Sequence, residues 1–456
     1  MKQFLNFNSL IESKQISGWG RKSFVESKFL KLESEQGIKD FIKGSYTSSL
    51  ITRGLGRSYG DAAQLKENFI LNVNFSQSIS ISGNQLTVGG GVSIEKVLEV
   101  IVPLGYFLPV SPGSAKVTIG GAIAADVHGK NHHKDGSLGN HVSRILLIDG
   151  RGDIQELKPI QNNSGKTNNF FWATIGGMGL TGIILEATIS LIKIDTSFIK
   201  ADTFICKDLD SLLELMQSKD KEYSYSVAWV DSLHKKTRGV LTCGEHARLE
   251  DLDNITSNHL FYDSKNLGSA PNLFPNGLLN KFTVKAFNEL WFRKSSTMGN
   301  NIQTISQFFH PLDGISNWNR IYGSQGFYQY QFVVPNDKSY FISKTLDKLK
   351  KCSAYSFLTV LKRFGRISNS FLSFPQPGWT LAVDLPGSNL KLLGVLDELD
   401  NELASIGGKI YLAKDLRQKP EVFKKTYRSY QSWKSIKKEM DPDNLFKSDL
   451  SIRLKM

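Results

Sequence analysis

The segment Arg53–Asp61, with the sequence RGLGRSYGD, places three glycines within seven positions. Glycine permits positive φ angles and close approach of the backbone, and successive N–H groups that face one concavity bind anions. A Rossmann dinucleotide site would require a strand, the glycines and then a helix. Here the spacing is GxGxxxG and the strand-like Phe69–Val73 follows, which argues against that fold. Taken alone, the motif fits a tight structural turn and a phosphate site equally well.

Two more glycine-rich segments follow further along the chain. They are Thr118–His133 (TIGGAIAADVHGKNHH) and Phe171–Ile184 (FWATIGGMGLTGII). Such a density of small residues predicts that something large and flat lies against the backbone. Each segment adjoins a strand-like run, so one extended ligand with a pyrophosphate explains all three better than three independent turns.

The length and composition predict a globular protein with more than one folding unit. The chain has 456 residues, of which 40% are hydrophobic and 22% charged, and domains usually contain about 100–200 residues. Residues 1–195 are rich in glycine and short β-branched runs. Residues 196–404 carry aromatic-rich, strand-like pieces. Residues 405–456 form a C-terminal segment with a strong helical pattern. Three regions are therefore expected.

Three local patterns predict specific elements. Ser93 can cap a helix that Pro103 ends, with apolar residues on one face. A stripe of Phe, Tyr, Trp, Ile and Met predicts one helix that begins at Pro420 and ends near Asp441. The stretch 267–279 reads as a long loop, and its leucines and phenylalanine argue against a plain solvated linker.

The formal net charge of +13 suits nucleic acid, an anionic lipid surface or a phosphorylated small molecule, or it reflects a generally basic surface. The three cysteines are far apart and none lies in a CxxC pair, which favours a thiol-reducing compartment. Residues 1–9 lack the apolar region of a signal peptide, and no window approaches eighteen apolar residues. We therefore expect a cytoplasmic protein without a transmembrane segment.

Four of the eight histidines fall within fourteen positions, beginning at His128. His128 and His132 are four apart, a spacing that places two zinc ligands on one helix face. Gly129 and Asn131 make a regular helix there doubtful, so no metal is expected, and structural, ligand-contacting and catalytic roles stay open.

The three glycine-rich segments, in this order, resemble the FAD-binding domain of the vanillyl-alcohol-oxidase/PCMH superfamily. Within it, the chain resembles the decaprenylphosphoryl-β-D-ribose 2′-oxidases nearly from end to end, including Phe274–Gly277, His310–Asp313 and Tyr411–Asp415. The resemblance implies an α+β fold. Residues 1–195 would form a PCMH-type FAD-binding domain that residues 405–456 complete, and residues 196–404 would form an inserted, mainly antiparallel substrate domain.

The resemblance also implies an activity. FAD would oxidise the 2′-hydroxyl of a polyprenylphosphoryl-β-D-ribose to the 2-keto sugar by hydride transfer to flavin N5. A separate NAD(P)H-dependent short-chain reductase would complete epimerisation to the arabinose form for cell-envelope polysaccharide. Peripheral contact with the inner membrane would suit the lipid substrate. The alternatives are an FAD-dependent oxidase of a soluble alditol, sugar or aldonolactone, and a basic nucleic-acid-binding protein without catalysis; no nucleic acid is expected as a partner.

Candidate site residues follow from the matching motifs. Many relatives carry a histidine bonded covalently to the flavin where Arg57 stands here, so we expect non-covalent FAD. Lys414, His128 and Tyr59 are expected in catalysis. Substrate contacts are expected from Lys130, Trp229, Arg320, Gln329, Gln331 and Lys362. FAD contacts are expected from Thr52, Arg53, Gly54, Leu55, Gly56, Arg57, Ser58, Tyr59, Gly60, Asp61, Ala62, Gly113, Thr118, Ile119, Gly120, Gly121, Ala125, Asp126, Val127, His128, Ile184 and Tyr411.

Three positions depart from the family pattern. Ala382 stands where members carry a cysteine that covalent nitroaromatic inhibitors attack, so we expect resistance to covalent capture. Thr380 replaces an asparagine and Phe309 a tyrosine. These changes bear on the exact sugar or lipid rather than on the oxidation.

Overall fold

The computed structural model of the protein describes residues 10–44, 48–73, 77–159, 166–252, 258–264 and 266–456. The strands within these ranges, in chain order, are β1 Ile11–Ser17, β2 Phe24–Leu30, β3 Leu50–Thr52, β4 Phe69–Leu71, β5 Ile79–Ser82, β6 Gln85–Gly89, β7 Tyr106–Phe107, β8 Val142–Ile148, β9 Ile154–Leu157, β10 Ile183–Ser190, β11 Ile192–Lys193, β12 Phe198–Cys206, β13 Tyr225–Val230, β14 Gly239–His246, β15 Asn300–Thr304, β16 Phe327–Val334, β17 Thr359–Phe364, β18 Gly378–Pro386 and β19 Lys409–Ile410.

The α-helices in the same ranges are α1 Glu35–Lys43, α2 Ile94–Ile101, α3 Ile119–Ala124, α4 His132–Asp135, α5 Lys166–Thr174, α6 Leu209–Lys219, α7 Lys281–Ser296, α8 Ile305–Phe309, α9 Tyr340–Lys351, α10 Leu392–Ser405, α11 Pro420–Thr426, α12 Tyr430–Met440 and α13 Asp449–Leu454. None of these helices is both long and apolar enough to cross a bilayer.

The strands form three main sheets. A four-stranded sheet has the order β1-β2-β4-β3, with β4 parallel to both neighbours. A five-stranded antiparallel sheet has the order β5-β6-β10-β8-β9. An eight-stranded sheet, antiparallel throughout, has the order β15-β12-β14-β13-β17-β18-β16-β19. The expected α+β fold with a large antiparallel sheet is confirmed.

The short strand β19 connects the C-terminal segment to the large sheet. It pairs with β16, so that Ile410 lies opposite Phe332. The next residue, Tyr411, donates its backbone N–H to the Gln331 carbonyl at 3.0 Å. This connection fixes the 411–415 turn against β16, next to the edge of the eight-stranded sheet.

Most of the local predictions are confirmed. Ser93 caps α2, and its side chain accepts the Lys96 N–H. The 267–279 stretch contains no helix or strand. A strand rather than a helix follows the first glycine motif, as expected, because β4 begins at Phe69.

The prediction of one C-terminal helix is wrong. The apolar stripe is present, but α11 ends at Thr426 and α12 begins at Tyr430. Tyr427 leaves the helical region with ψ 75°, and its hydroxyl donates to the Ile410 carbonyl at 2.7 Å. Burying this phenol with a satisfied hydrogen bond requires the break, since a buried hydroxyl without a partner is costly.

Candidate active site

A cavity of about 340 Å³ lies where the eight-stranded sheet meets the glycine-rich segments. Small-molecule sites typically span roughly 300–1,000 Å³. The structure brings most of the predicted site residues to its wall: Thr52, Arg53, Gly54, Leu55, Gly56, Arg57, Ser58, Tyr59, Ala62, Gly113, Thr118, Gly120, Gly121, Ala125, Val127, His128, Ile184, Gln329, Gln331, Lys362, Tyr411 and Lys414.

The first glycine motif forms a loop that is held at both ends. Arg53 donates its N–H to the Leu71 carbonyl and Tyr59 donates to the Ala413 carbonyl, each at 2.9 Å. Between them, the five backbone N–H groups of residues 54–58 have no acceptor among the described residues. Consecutive free N–H groups in a loop that lines a cavity meet the requirement of an anion site, which favours the phosphate interpretation over the plain turn.

Two glycines of the wall lie in very different surroundings. A Cβ at Gly54 would come within 2.3 Å of Thr118 Oγ1, so the two glycine-rich segments pack too closely there for any side chain. A Cβ at Gly113 would meet no protein atom within 4 Å, although this residue lines the cavity. Gly113 is exposed, so the space beside its backbone is open.

The two arginines of the loop have different partners. Arg53 donates to the Ala63 and Ser17 carbonyls at 2.7 and 2.8 Å, so its guanidinium holds the loop itself. Arg57 stacks on the Trp19 ring, 3.9 Å from the centroid. Its Nε is buried and has no partner among the described residues. Arg57 is thus the cation of this loop that can still serve an anionic ligand.

Lys414 lies in the turn after β19, and its ammonium sits 3.5 Å from the centroid of the Tyr59 ring. Burial lowers the pKa of Lys414 below its ordinary value, while the charge of Asp384 opposes that shift. Burial also raises the pKa of Tyr59 well above its ordinary value, so the phenol stays neutral. The aromatic face and the nearby carboxylate together favour the cationic form of a buried lysine.

Asp384 is a site residue that the sequence reasoning missed. It is buried in β18, where it accepts a hydrogen bond from Gln329 Nε2 at 2.5 Å. Burial raises the pKa of its carboxyl group above the ordinary value. A carboxylate in the apolar strand GWTLAVDLP is itself a signal, because buried charges are expensive unless they are paired.

His128 lines the cavity and contacts Gln331, another residue of the cavity wall. Its Nε2 lies 3.1 Å from Gln331 Nε2, and Gln331 also donates to Thr380 Oγ1 at 3.3 Å. Burial, helped by the charge of Lys362, lowers the pKa of His128 well below its usual value. His128 is therefore neutral and orients the Gln331 amide.

Two other lysines, both partly buried, extend this positive region. Burial lowers the pKa of Lys362, which lines the cavity, to about 8. Lys130 has its pKa lowered to about 7 by burial and the charge of Lys362. Its ammonium donates to the Phe308 carbonyl and lies over the Phe308 ring.

Seven predicted residues do not line the cavity. Asp61 pairs with Arg453 at 2.8 Å, and Asp126 accepts from Ser137, Ser373 and the Gly139 N–H. Trp229 donates to the Phe357 carbonyl, and Arg320 to the Ala270 carbonyl. Gly60, Ile119 and Lys130 complete this set.

Of the three departures from the family pattern, Ala382 lines the cavity and Thr380 adjoins it through Gln331. Phe309 does not reach it. Its ring packs between Phe107 and Tyr225, with centroids 4.9 and 4.8 Å away, so its effect on the pocket is indirect.

The wall also includes residues that had not been assigned to it, among them Trp19, Gly90, Gly91, Asp313, Trp318 and Ala413. The glycine pair was visible in the sequence as a cluster. The others come from loops that only the tertiary fold brings together.

The residues present fit FAD. The free N–H groups of residues 54–58, the unpaired Nε of Arg57 and the open space at Gly113 provide an anion site beside a flat, small-residue wall. The described residues include no group of three or more His, Cys, Asp or Glu arranged to hold a metal.

Comparisons with known proteins agree with this site. A family model described as an FAD binding domain matches residues 28–158. The chain is 38% identical to decaprenylphosphoryl-β-D-ribose oxidase of Mycolicibacterium smegmatis, over 97% of this chain and 98% of that protein. It is 30% identical to an uncharacterized protein of Streptomyces coelicolor over 80% of the chain and the whole of that protein. L-gulonolactone oxidase 3 of Arabidopsis thaliana is 24% identical over 35% of the chain and 27% of its own length.

The cavity, the anion-binding loop and the near full-length similarity lead to one assignment. The chain is an FAD-dependent oxidoreductase and belongs to the decaprenylphosphoryl-β-D-ribose oxidase family.

Proposed function

We propose that the protein oxidises the 2′-hydroxyl of a polyprenylphosphoryl-β-D-ribose to the 2-keto sugar. This is the first half of epimerisation to the arabinose form for cell-envelope polysaccharide synthesis. The observation that carries the proposal is the similarity to a decaprenylphosphoryl-β-D-ribose oxidase over 97% of the chain. Matches to lactone oxidases cover about a third of it, which disfavours a soluble alditol, sugar or aldonolactone as substrate.

We propose that the loop 54–58 and Arg57 hold the FAD pyrophosphate without a covalent link, because arginine cannot form the histidyl bond. Thr118, Gly120 and Gly121 would pack against the cofactor from the second segment. FAD supplies the two-electron acceptor, its N5 atom, for the alcohol oxidation.

The Lys414 ammonium would stabilise negative charge on the substrate oxygen or on the reduced cofactor. Asp384 would favour the charged form of that ammonium, since its charge opposes the effect of burial on the pKa of Lys414. Tyr59 supplies the aromatic face beneath it. His128 acts through Gln331, whose amide it orients toward the sugar.

Lys362 is proposed to bind the sugar phosphate. It is a cation on the cavity wall, and a phosphate would stabilise its charged form. Gln329 and Gln331 supply amide groups for the ribose hydroxyls. Lys130, Trp229 and Arg320, which do not line the wall, would support these groups from behind or contact the rest of the substrate.

We also propose the domain organisation of the protein, the enzyme that acts on its product and its location. Residues 1–195 and 405–456 would fold as the FAD-binding unit and residues 196–404 as the substrate unit. The keto product requires a reductase to reach the arabinose form, and an NAD(P)H-dependent short-chain enzyme fits. We place the protein in the cytoplasm, in peripheral contact with the inner membrane.

Substrate analogues test the site of oxidation. The 2′-deoxy analogue of a polyprenylphosphoryl ribose should not reduce the enzyme, because the reacting hydroxyl is absent. The matched 3′-deoxy analogue should be oxidised. Turnover of the 2′-deoxy compound would refute oxidation at this position.

A further inference from the structure

Helix α7 exposes its largest apolar side chains to solvent. Phe282 is 82% and Leu290 69% exposed. They are eight residues apart, or about two turns and 12 Å along the same face. The opposite face is buried through Val284, Asn288 and Ser295. This arrangement reverses the usual amphipathic pattern, in which the apolar face packs inward.

The protein anchors this helix by polar contacts. Asn288 donates to Asp231 Oδ1 at 2.8 Å in a buried hydrogen bond. The Arg238 guanidinium bonds Glu289 at 2.6 Å and lies 4.0 Å from the centroid of the Phe292 ring. These contacts fix the orientation of α7 and leave Phe282 and Leu290 facing solvent.

The preceding loop extends the same exposed apolar character. Leu267 is 82% and Leu273 89% exposed. We call Leu267, Leu273, Phe282 and Leu290 the outer apolar surface. Scattered exposed leucines are normal on soluble proteins, but a concentration of them marks an interaction site.

The loop before α7 is hydrogen-bonded to a segment that contributes to the cavity wall. The Leu267 N–H donates to the Gly314 carbonyl at 2.7 Å and the Ala270 N–H to the Ser316 carbonyl at 2.8 Å. On either side of that segment, Leu312 and Trp318 line the cavity. The loop that carries Leu267 and Leu273 is therefore tied to the segment that contributes Leu312 and Trp318 to the cavity wall.

The charge of α7 indicates which kind of partner this surface binds. The helix carries four basic residues, Lys281, Lys285, Arg293 and Lys294, against one acidic residue. That residue, Glu289, already bonds Arg238 and Arg293 at 2.6 Å. Protruding apolar side chains surrounded by cations are the features of an element that lies in the interface of an anionic bilayer.

We propose that α7 and the 266–280 loop dock the protein on an anionic lipid bilayer, with Phe282, Leu290 and Leu273 inserted and the α7 lysines facing lipid phosphates. Because the loop is hydrogen-bonded to residues 314 and 316, docking would bring the cavity wall close to the bilayer. The inference deepens the proposed function, since it rests on a lipid-linked substrate.

Vesicle flotation of the FAD-loaded full chain tests the proposal. Vesicles of phosphatidylcholine with phosphatidylglycerol are compared with phosphatidylcholine alone. We expect the wild type to float only with the anionic vesicles, and less at high salt. Phe282→Ser/Leu290→Ser should lower the bound fraction at least tenfold. The control Leu104→Ser/Ile452→Ser, which changes exposed apolar residues outside α7 and its loop, should bind like the wild type.

Equal flotation of the two double variants and the wild type would overturn the proposal. So would a wild type that ignores anionic vesicles and instead forms a dimer that Phe282→Ser/Leu290→Ser dissociates, because the surface would then bind a second copy. Both double variants should keep wild-type turnover of a short-chain, water-soluble phosphoryl ribose, which verifies the fold. If vesicle binding follows the prediction but no phosphoryl ribose is oxidised, the proposed function fails and the docking surface stands.

Discussion

The Lys414 ammonium lies 3.5 Å from the centroid of the Tyr59 ring, and the backbone N–H of Tyr59 donates to the carbonyl of Ala413, the residue before Lys414. One hydrogen bond thus joins the first glycine motif to the C-terminal turn. The cofactor loop and the proposed catalytic cation are fixed to each other, although they are more than 350 positions apart in the sequence.

Replacing Lys414 by methionine should lower kcat by about 10²- to 10³-fold, the usual cost of losing a group that stabilises developing charge. Methionine keeps most of the side-chain volume, so the fold should persist. The measurement is steady-state turnover per bound FAD. Activity within threefold of the wild type at equal FAD content would mean that Lys414 does not take part in catalysis.

Asp384→Asn should move the alkaline limb of the kcat profile to lower pH. The carboxylate favours the charged form of Lys414, so without it the pKa of Lys414 decreases further and the ammonium is lost earlier. We expect a shift of about one pH unit, equivalent to roughly 1.4 kcal/mol. Asp384→Glu, which keeps the charge, should return the alkaline limb of the kcat profile to its wild-type pH. A uniform loss of activity at all pH values would mean that Asp384 has only a structural role.

Lys362→Met should raise KM for the phosphorylated substrate about tenfold and leave kcat nearly unchanged. In the free enzyme the pKa of Lys362 is lowered to about 8. The group is cationic below that pH, so phosphate binding is strongest there and weakens as pH rises through 8. In Lys362→Met, this pH dependence of KM should disappear. If it persists, a group other than Lys362 is responsible for it.

Gly113→Ala probes the cofactor position. The added methyl group meets no protein atom within 4 Å, so the free energy of unfolding of the FAD-free protein should not decrease. We expect FAD affinity to decrease by about tenfold, because Gly113 belongs to the cavity wall and a cofactor packed against its backbone would leave no room for the methyl group. Gly394→Ala is the control, since it is also unobstructed but lies in α10. That control should leave FAD binding unchanged and stabilise the helix by about 0.5–1 kcal/mol. Unaltered FAD affinity in Gly113→Ala would mean that the cofactor does not pack against this wall.

Ala382 should make the wild-type protein resistant to covalent nitroaromatic inhibitors. The side chain lines the cavity but offers no nucleophile. Incubation with such a compound under turnover should leave the intact mass unchanged, whereas Ala382→Cys should gain one adduct. A stable adduct on the wild type would disprove the prediction.

Local sequence patterns predicted the parts of the fold that depend on interactions between residues close in the sequence. The Ser93 cap, the strand after the first glycine motif and the glycine-rich wall all follow from residue type and spacing. The single C-terminal helix was wrong because Tyr427 satisfies its hydroxyl with the distant Ile410 carbonyl, a contact that no helical period contains.

The candidate site was predictable where a motif itself supplies the lining residues, as in 52–59 and at Thr118, Gly120 and Gly121. Asp384 was missed because its role depends on Gln329 in the neighbouring strand and on the charge of Lys414. Trp318 and Asp313 reach the wall through loops whose course is set by long-range hydrogen bonds, such as Ser114 to Asp313 at 2.7 Å.

The most direct test is anaerobic mixing of the FAD-loaded protein with a polyprenylphosphoryl-β-D-ribose while flavin absorbance is followed. The account predicts rapid bleaching, with one 2-keto sugar formed per flavin reduced. Absence of bleaching with this substrate, together with bleaching by a soluble alditol or aldonolactone, would contradict it.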